Sequence, residues 1–108
     1  MVFLDDTAQA AHARRRRLDD LAGHEYRSDA EIFVGTPAEL ADLLQERNAD
    51  GLSGFRLRPA ALPHDLTQIT QGLVPELRRR GLFRTAYQAD TLRGLLGLRR
   101  PENRYVAA

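Results

Sequence analysis

The stretch from Ile32 to Pro59, IFVGTPAELADLLQERNADGLSGFRLRP, constrains the fold more than any other part of the chain. It reads as strand, helix, strand. Ile32, Phe33 and Val34 form a β-prone apolar run, and Gly35 breaks it. Thr36-Pro37-Ala38-Glu39 has the form of a capping box. Thr36 can accept from the Glu39 N–H while the Glu39 side chain reaches back to the Thr36 N–H. Pro37 stands at the first helical position, where a missing N–H costs nothing. Leu40, Leu43 and Leu44 follow at helical spacing and make one apolar stripe. Asn48, Asp50 and Gly51 end the helix. Gly54-Phe55-Arg56-Leu57-Arg58 reads as the next strand, stopped by Pro59. Two strands joined by a crossover helix predict a βαβ unit with a parallel pair.

The flanking segments repeat this alternation. Val2-Phe3-Leu4 has strand character, and Asp5-Asp6-Thr7 supplies a turn with Asp6 or Thr7 as N-cap. Residues 8–22 are rich in Ala, Arg and Leu and predict a helix stopped by Gly23. After Pro63, Asp65 is the expected N-cap of a helix over 66–80. Leu66, Ile69, Leu73 and Leu77 form its core-facing stripe, Pro75 is expected to kink it, and Gly81 ends it. The expected order is therefore β at 2–4, α at 8–22, β at 32–34, α at 37–47, β at 54–58 and α at 66–80. Residues 1–81 would form three βα units. Residues 82–108 would form a tail with one short helical pattern, Thr91 to Leu96. This alternation argues for an α/β fold with parallel strands.

With 108 residues the chain is long enough for one small domain. A whole (β/α)8 barrel needs about 250. A net charge of +1 calls for no acidic partner, and all 16 basic residues are arginine, which reads as codon usage rather than a nucleic-acid surface. Cysteine is absent, so disulfides and thiolate metal sites are excluded. No apolar run approaches the roughly 20 residues of a membrane span. No signal peptide is apparent, since Met1-Val2-Phe3-Leu4 runs straight into Asp5-Asp6, and a soluble cytoplasmic protein is the expectation.

Five motifs in order, GTPAELADLL, GFRLRP, LVPELRRRGLFRTAY, TLRGLLGL and RPENRY, resemble the C-terminal end of luciferase-like flavin-dependent monooxygenases. The closest branch holds the nitrilotriacetate, alkanesulfonate and dibenzothiophene-sulfone monooxygenases. The resemblance runs from about Val2 to Tyr105. It implies the last βα units of a (β/α)8 TIM barrel, incomplete in this chain, with the tail wrapped around the barrel. It also implies reduced FMN from a separate reductase, O2, and oxygenation of a small organic substrate, with the flavin carrying the chemistry. A chain of this length would lack most of such an active site, so activity and flavin binding would require more barrel. The alternative is a non-catalytic interaction or vestigial domain that associates through its exposed sheet edges and helix faces. A homo-oligomer or a complementing barrel portion is the expected partner, with neither nucleic acid nor membrane.

Within that resemblance, Arg58 would stand at the carboxyl end of a strand, the active-site face of such barrels. With Arg56 it could grip a substrate carboxylate or sulfonate, or the flavin phosphate. The competing reading pairs both with a carboxylate in the absent part of the barrel or leaves them on a solvated edge. His64, in the loop after the same strand, is a candidate substrate contact or proton carrier, or else a solvated residue at a helix start. No catalytic residue and no metal ligand is assigned. His12 and His24 read as exposed. Gly35-Thr36 could hold a phosphate at a helix N-terminus, but the capping box already uses those amides. Arg14 to Arg17 read as a solvated helix paired with Asp19 and Asp20. Arg84, Tyr87, Arg93, Arg104 and Tyr105 read as structural anchors of the tail, or as a subunit contact.

Overall fold

The computed structural model describes residues 1–106. Strand β1 (Val2–Leu4) pairs in parallel with β2 (Phe33–Gly35), in the register Val2 to Phe33, Phe3 to Val34 and Leu4 to Gly35. Helix α1 (Ala8–Ala22) is the crossover between them. Thr7 is its N-cap, accepting from the Ala10 amide at 3.1 Å, and Gly23 closes it at φ 78°, where a side chain would be strained. The βαβ unit that closes is thus β1-α1-β2, as the expected strand and helix order allows.

The strand expected at 54–58 does not form. Only a single parallel bridge joins Val2 to Pro59, through Val2 N to Arg58 O at 2.9 Å and Ala60 N to Val2 O at 3.0 Å. The reason is the lack of a second neighbour. Pro59 has no N–H to extend a ladder, and Phe55 and Arg56 lie exposed with nothing paired to their backbone. The extended segment also lies beside β1, on the side away from β2. In a consecutive barrel arc it would lie beside β2.

Pleat alternation divides the interior. Val2 and Leu4 pack with Leu40, Ala41 and Leu73, flanked by Phe33, Leu43, Leu44, Leu57, Ile69 and Leu77. Phe3 faces α1, where the guanidinium carbons of Arg14 and Arg15 lie 5.8 and 5.9 Å from its ring centre. Helix α2 (Pro37–Ala49) starts on the predicted capping box. Thr36 Oγ1 accepts from Glu39 N at 3.2 Å, and Glu39 Oε2 accepts from Thr36 N at 2.8 Å. A Cβ at Gly35 would stand 2.6 Å from that same Oε2, so the folded-back glutamate depends on a glycine there. Thr36→Ala is expected to cost about 1 kcal/mol, read as a lower urea midpoint.

The third helical stretch is built in pieces: α3 (His64–Gln68), a π-helical segment (Ile69–Leu73) and α4 (Val74–Arg79). Pro75 explains the middle piece. It cannot donate to the carbonyl of Gln71, and its ring would crowd that carbonyl in an unbroken α-helix. The Val74 amide instead reaches back five residues to Ile69 O. Gly72 lets this wider turn approach α2, since a Cβ there would meet Pro37 Cγ at 2.8 Å. Asp65 is not the N-cap. Pro63 takes that position and makes no side-chain cap, because the Asp65 carboxylate is held elsewhere, as described below. Arg80 ties α4 to α2 through Glu76 at 2.7 Å and Asp42 at 2.6 Å. The bonds from Arg79 and Arg80 pull the Glu76 carboxyl down to about 2.

Beyond Gly81 the chain leaves this body. Helix α5 (Leu92–Leu95), capped by Thr91, is a single turn. Tyr87, Leu92 and Tyr105 stay largely exposed. The radius of gyration is 19.0 Å, against about 13 Å for a compact chain of this length. No helix among the described residues is long and apolar enough to cross a membrane.

Candidate functional site

The densest polar chemistry sits at the carboxyl end of β1, the end where open α/β sheets hold their ligands. It arises from an unfinished ladder. The amide and carbonyl of Val2 are taken by the segment around Pro59, but that segment turns away after Ala60. Leu4 therefore has no strand partner on that side. Asp65 supplies one, with Oδ1 accepting from Leu4 N at 2.8 Å and Oδ2 accepting from Ala61 N at 2.8 Å. The carboxylate also receives both terminal nitrogens of Arg14, Nη1 at 3.0 Å and Nη2 more closely. Arg14 Nε donates to Asp5 Oδ2 at 2.8 Å, and Nη2 also reaches Leu4 O at 3.2 Å.

Asp65 is fully buried. Burial alone would push its carboxyl up, but the bonds from Arg14 and from the amides of Leu4 and Ala61 outweigh it and hold it below the ordinary value. For Arg14, burial works against the charge, but its bonds to Asp65 and Asp5 hold its pKa above normal. Both groups are ionised. No buried side-chain nitrogen or oxygen among the described residues lacks a partner. Next to this cluster a cleft of about 550 Å³ opens between α2 and α3, lined by Asp6, Thr36, Gln68, Gln71 and Glu76 among others.

The residues expected from sequence divide between the two ends of the sheet. His64 is at the carboxyl end, with Nε2 2.9 Å from Leu4 O and 2.9 Å from Asp5 Oδ1. Arg58 is at the amino end, since it precedes the residue bridged to Val2, the first of β1. It donates to Ser28 Oγ at 2.8 Å and Asp29 Oδ1 at 3.0 Å. Its hydrogen bond is the main cause of the lowered Asp29 carboxyl. Arg56 lines an apolar groove at the same amino end, with Leu52 and Phe55. The structure does not bring Arg56 or Arg58 together with His64.

Arg14, Asp5 and Asp65 were missed. Arg14 is not a solvated member of its run, although Arg15 does pair with Asp19 at 3.9 Å as expected. One signal was available. Ala11, Arg14, Arg15 and Leu18 fall at i, i+3, i+4 and i+7, so an arginine lies on the inner stripe of α1. A buried arginine requires a buried acid. Among the described residues no cluster of three His, Asp or Glu side chains is placed to hold a metal.

Comparison with known proteins bears on this chain from outside its geometry. It is 44% identical over 76 residues to N-acetyl-S-(2-succino)cysteine monooxygenase of Bacillus subtilis (strain 168), covering 69% of this chain and 17% of that protein. It is 43% identical over 109 residues to nitrilotriacetate monooxygenase component A of Aminobacter aminovorans, covering 89% and 24%. The chain is a relative of the luciferase-like monooxygenases. Dibenzothiophene-sulfone monooxygenase of Rhodococcus erythropolis matches at 35% identity, over 88% of this monooxygenase-like chain and 22% of its own length. The chain thus spans less than a quarter of the length of these relatives. No protein-family model and no solved structure matches it.

Proposed function

We propose that this chain is the C-terminal part of a flavin-dependent monooxygenase that uses reduced FMN and O2 to oxygenate a small organic substrate. The observation that carries the reading is 43% identity to a monooxygenase component across 89% of the chain. In this reading residues 1–81 are one arc of a (β/α)8 barrel and the tail is a strap on its outside. A separate reductase supplies the reduced flavin.

The residues present do not make a flavin site. Arg58 is engaged by Ser28 and Asp29 at the amino end of the sheet, remote from the carboxyl end where a ligand belongs. Glu39 already occupies the start of α2 and would repel a phosphate. The chain alone is therefore expected not to bind FMN, and no step of oxygenation is assigned to its residues.

A chimera tests the reading. The matching segment of nitrilotriacetate monooxygenase component A is replaced by this chain, and flavin-dependent oxidation of nitrilotriacetate is measured. Retained oxidation is the expected result. A folded chimera that binds no FMN and consumes no O2 with substrate would overturn it. The exposed aromatic and leucine side chains beyond Gly81 favour a second reading, a non-catalytic module that associates with another copy. Sedimentation of the isolated chain separates the two: a defined dimer together with an inactive chimera would select the second.

A further inference from the structure

We propose that His64 is a proton-accepting group for a ligand that presents an N–H or O–H donor at the carboxyl end of β1. Its Nε2 lies 2.9 Å from the carbonyl oxygen of Leu4 and 2.9 Å from Oδ1 of Asp5. Both are acceptors. Asp5 Oδ2 in turn accepts from Arg14 Nε at 2.8 Å. A ring nitrogen facing two acceptors must carry the proton, which leaves the lone pair of the neutral ring on Nδ1. Nδ1 has no hydrogen-bond partner among the described residues, and the side chain is 44% exposed. The basic nitrogen is therefore the available one. Gln68, one turn further along α3, lines the adjacent cleft, and His64 stands outside that lining, so a ligand would meet the imidazole from the exposed rim.

The charges around the ring suit the task. Two carboxylates, Asp5 from the β1–α1 turn and Asp65 from α3, face one guanidinium, Arg14 from α1, giving the cluster a formal charge of −1 with His64 neutral. When Nδ1 takes a proton from the ligand's N–H or O–H, the bonding pair stays on the ligand. The imidazolium that forms is stabilised across Nε2–H by Asp5, and the cluster becomes neutral. Asp5 is a positioning residue in this scheme: it fixes which nitrogen is basic. The role does not rest on the oxygenase reading, because nothing in it requires flavin.

Long-range proton–nitrogen NMR on the full chain, labelled at histidine, reads the tautomer of each ring. His64 is expected to show a pyrrole-type Nε2 and a pyridine-type Nδ1. His24, whose Nδ1 faces the Glu25 carbonyl at 3.2 Å, serves as the opposite case. Asp5→Asn is expected to shift the His64 tautomer balance while a merely structural contact would leave it fixed. Diethyl pyrocarbonate then probes the free lone pair, with carbethoxylation of His64 expected at Nδ1. His64→Gln retains a donor where Nε2 stood, so its urea midpoint should match the parent while the adduct disappears. A protonated Nδ1 in the folded parent, a freely averaging ring, or protection of His64 from the reagent would each overturn the assignment.

Discussion

Asp65→Ala is expected to destabilise the chain by about 3–5 kcal/mol, the range seen when one partner of a buried ion pair is removed. Three losses coincide. Arg14 keeps only Asp5 as a charged partner, and the amides of Leu4 and Ala61 lose their acceptor. The Leu4 amide, left buried and unpaired, adds about 1–3 kcal/mol of its own, so the upper half of the range is expected. Urea unfolding followed by far-ultraviolet circular dichroism measures the loss. Removing both charges should be milder. Arg14→Met combined with Asp65→Leu is expected to cost clearly less than the sum of the single changes, and simple additivity would show that the pair is not coupled.

The same carboxylate sets an acid limb. Its pKa is depressed in the folded chain, so its contribution is fully present above the unfolded value of about 3.9 and fades as pH falls through the native value. In Asp65→Asn the limb should flatten. An unchanged acid profile would mean that the carboxylate is not held as the geometry requires.

Leu40→Ala is the second large effect, about 2–5 kcal/mol for a buried leucine. Leu40 is 2% exposed and packs with Val2, Leu4, Ala41 and Leu73. The variant is expected to lose its helical signal at a clearly lower urea concentration than the parent. Leu92→Ala, at a residue 72% exposed on the tail, should leave that signal unchanged. A fully folded Leu40→Ala would show that the stability lies elsewhere.

What could be read from the sequence was what neighbouring residues decide. Thr7, Gly23, and Thr36 with Glu39 act within one turn, and their roles as caps are those expected. The strand at 54–58 failed because strand-like residues become a strand only beside a partner, and none is placed there. Asp65 was misjudged for a related reason. Its position near a helix start fits an N-cap, but its partners Leu4 and Arg14 lie 61 and 51 residues away. The pairing of Arg14 was likewise hidden by a run of four arginines in which one residue faces inward. Arg58 finds its carboxylate in Asp29 of this chain, and it lies at the amino end of the sheet because the register sets Pro59 opposite Val2, the first residue of β1.

The position of β1 also sets an order of events during synthesis. Among the described residues, every segment that holds Val2–Leu4 follows it in sequence. Its ladder partner begins at Phe33, its bridge is at Pro59, and the carboxylate that ends it is at Asp65. Those contacts close long loops, which slows folding. Until residue 65 has joined them, three consecutive apolar residues and their amides are unsheltered. Among the described residues β1 is thus the first strand in sequence and the last to be completed, and a chain ending before Asp65 would leave the Leu4 amide without its acceptor.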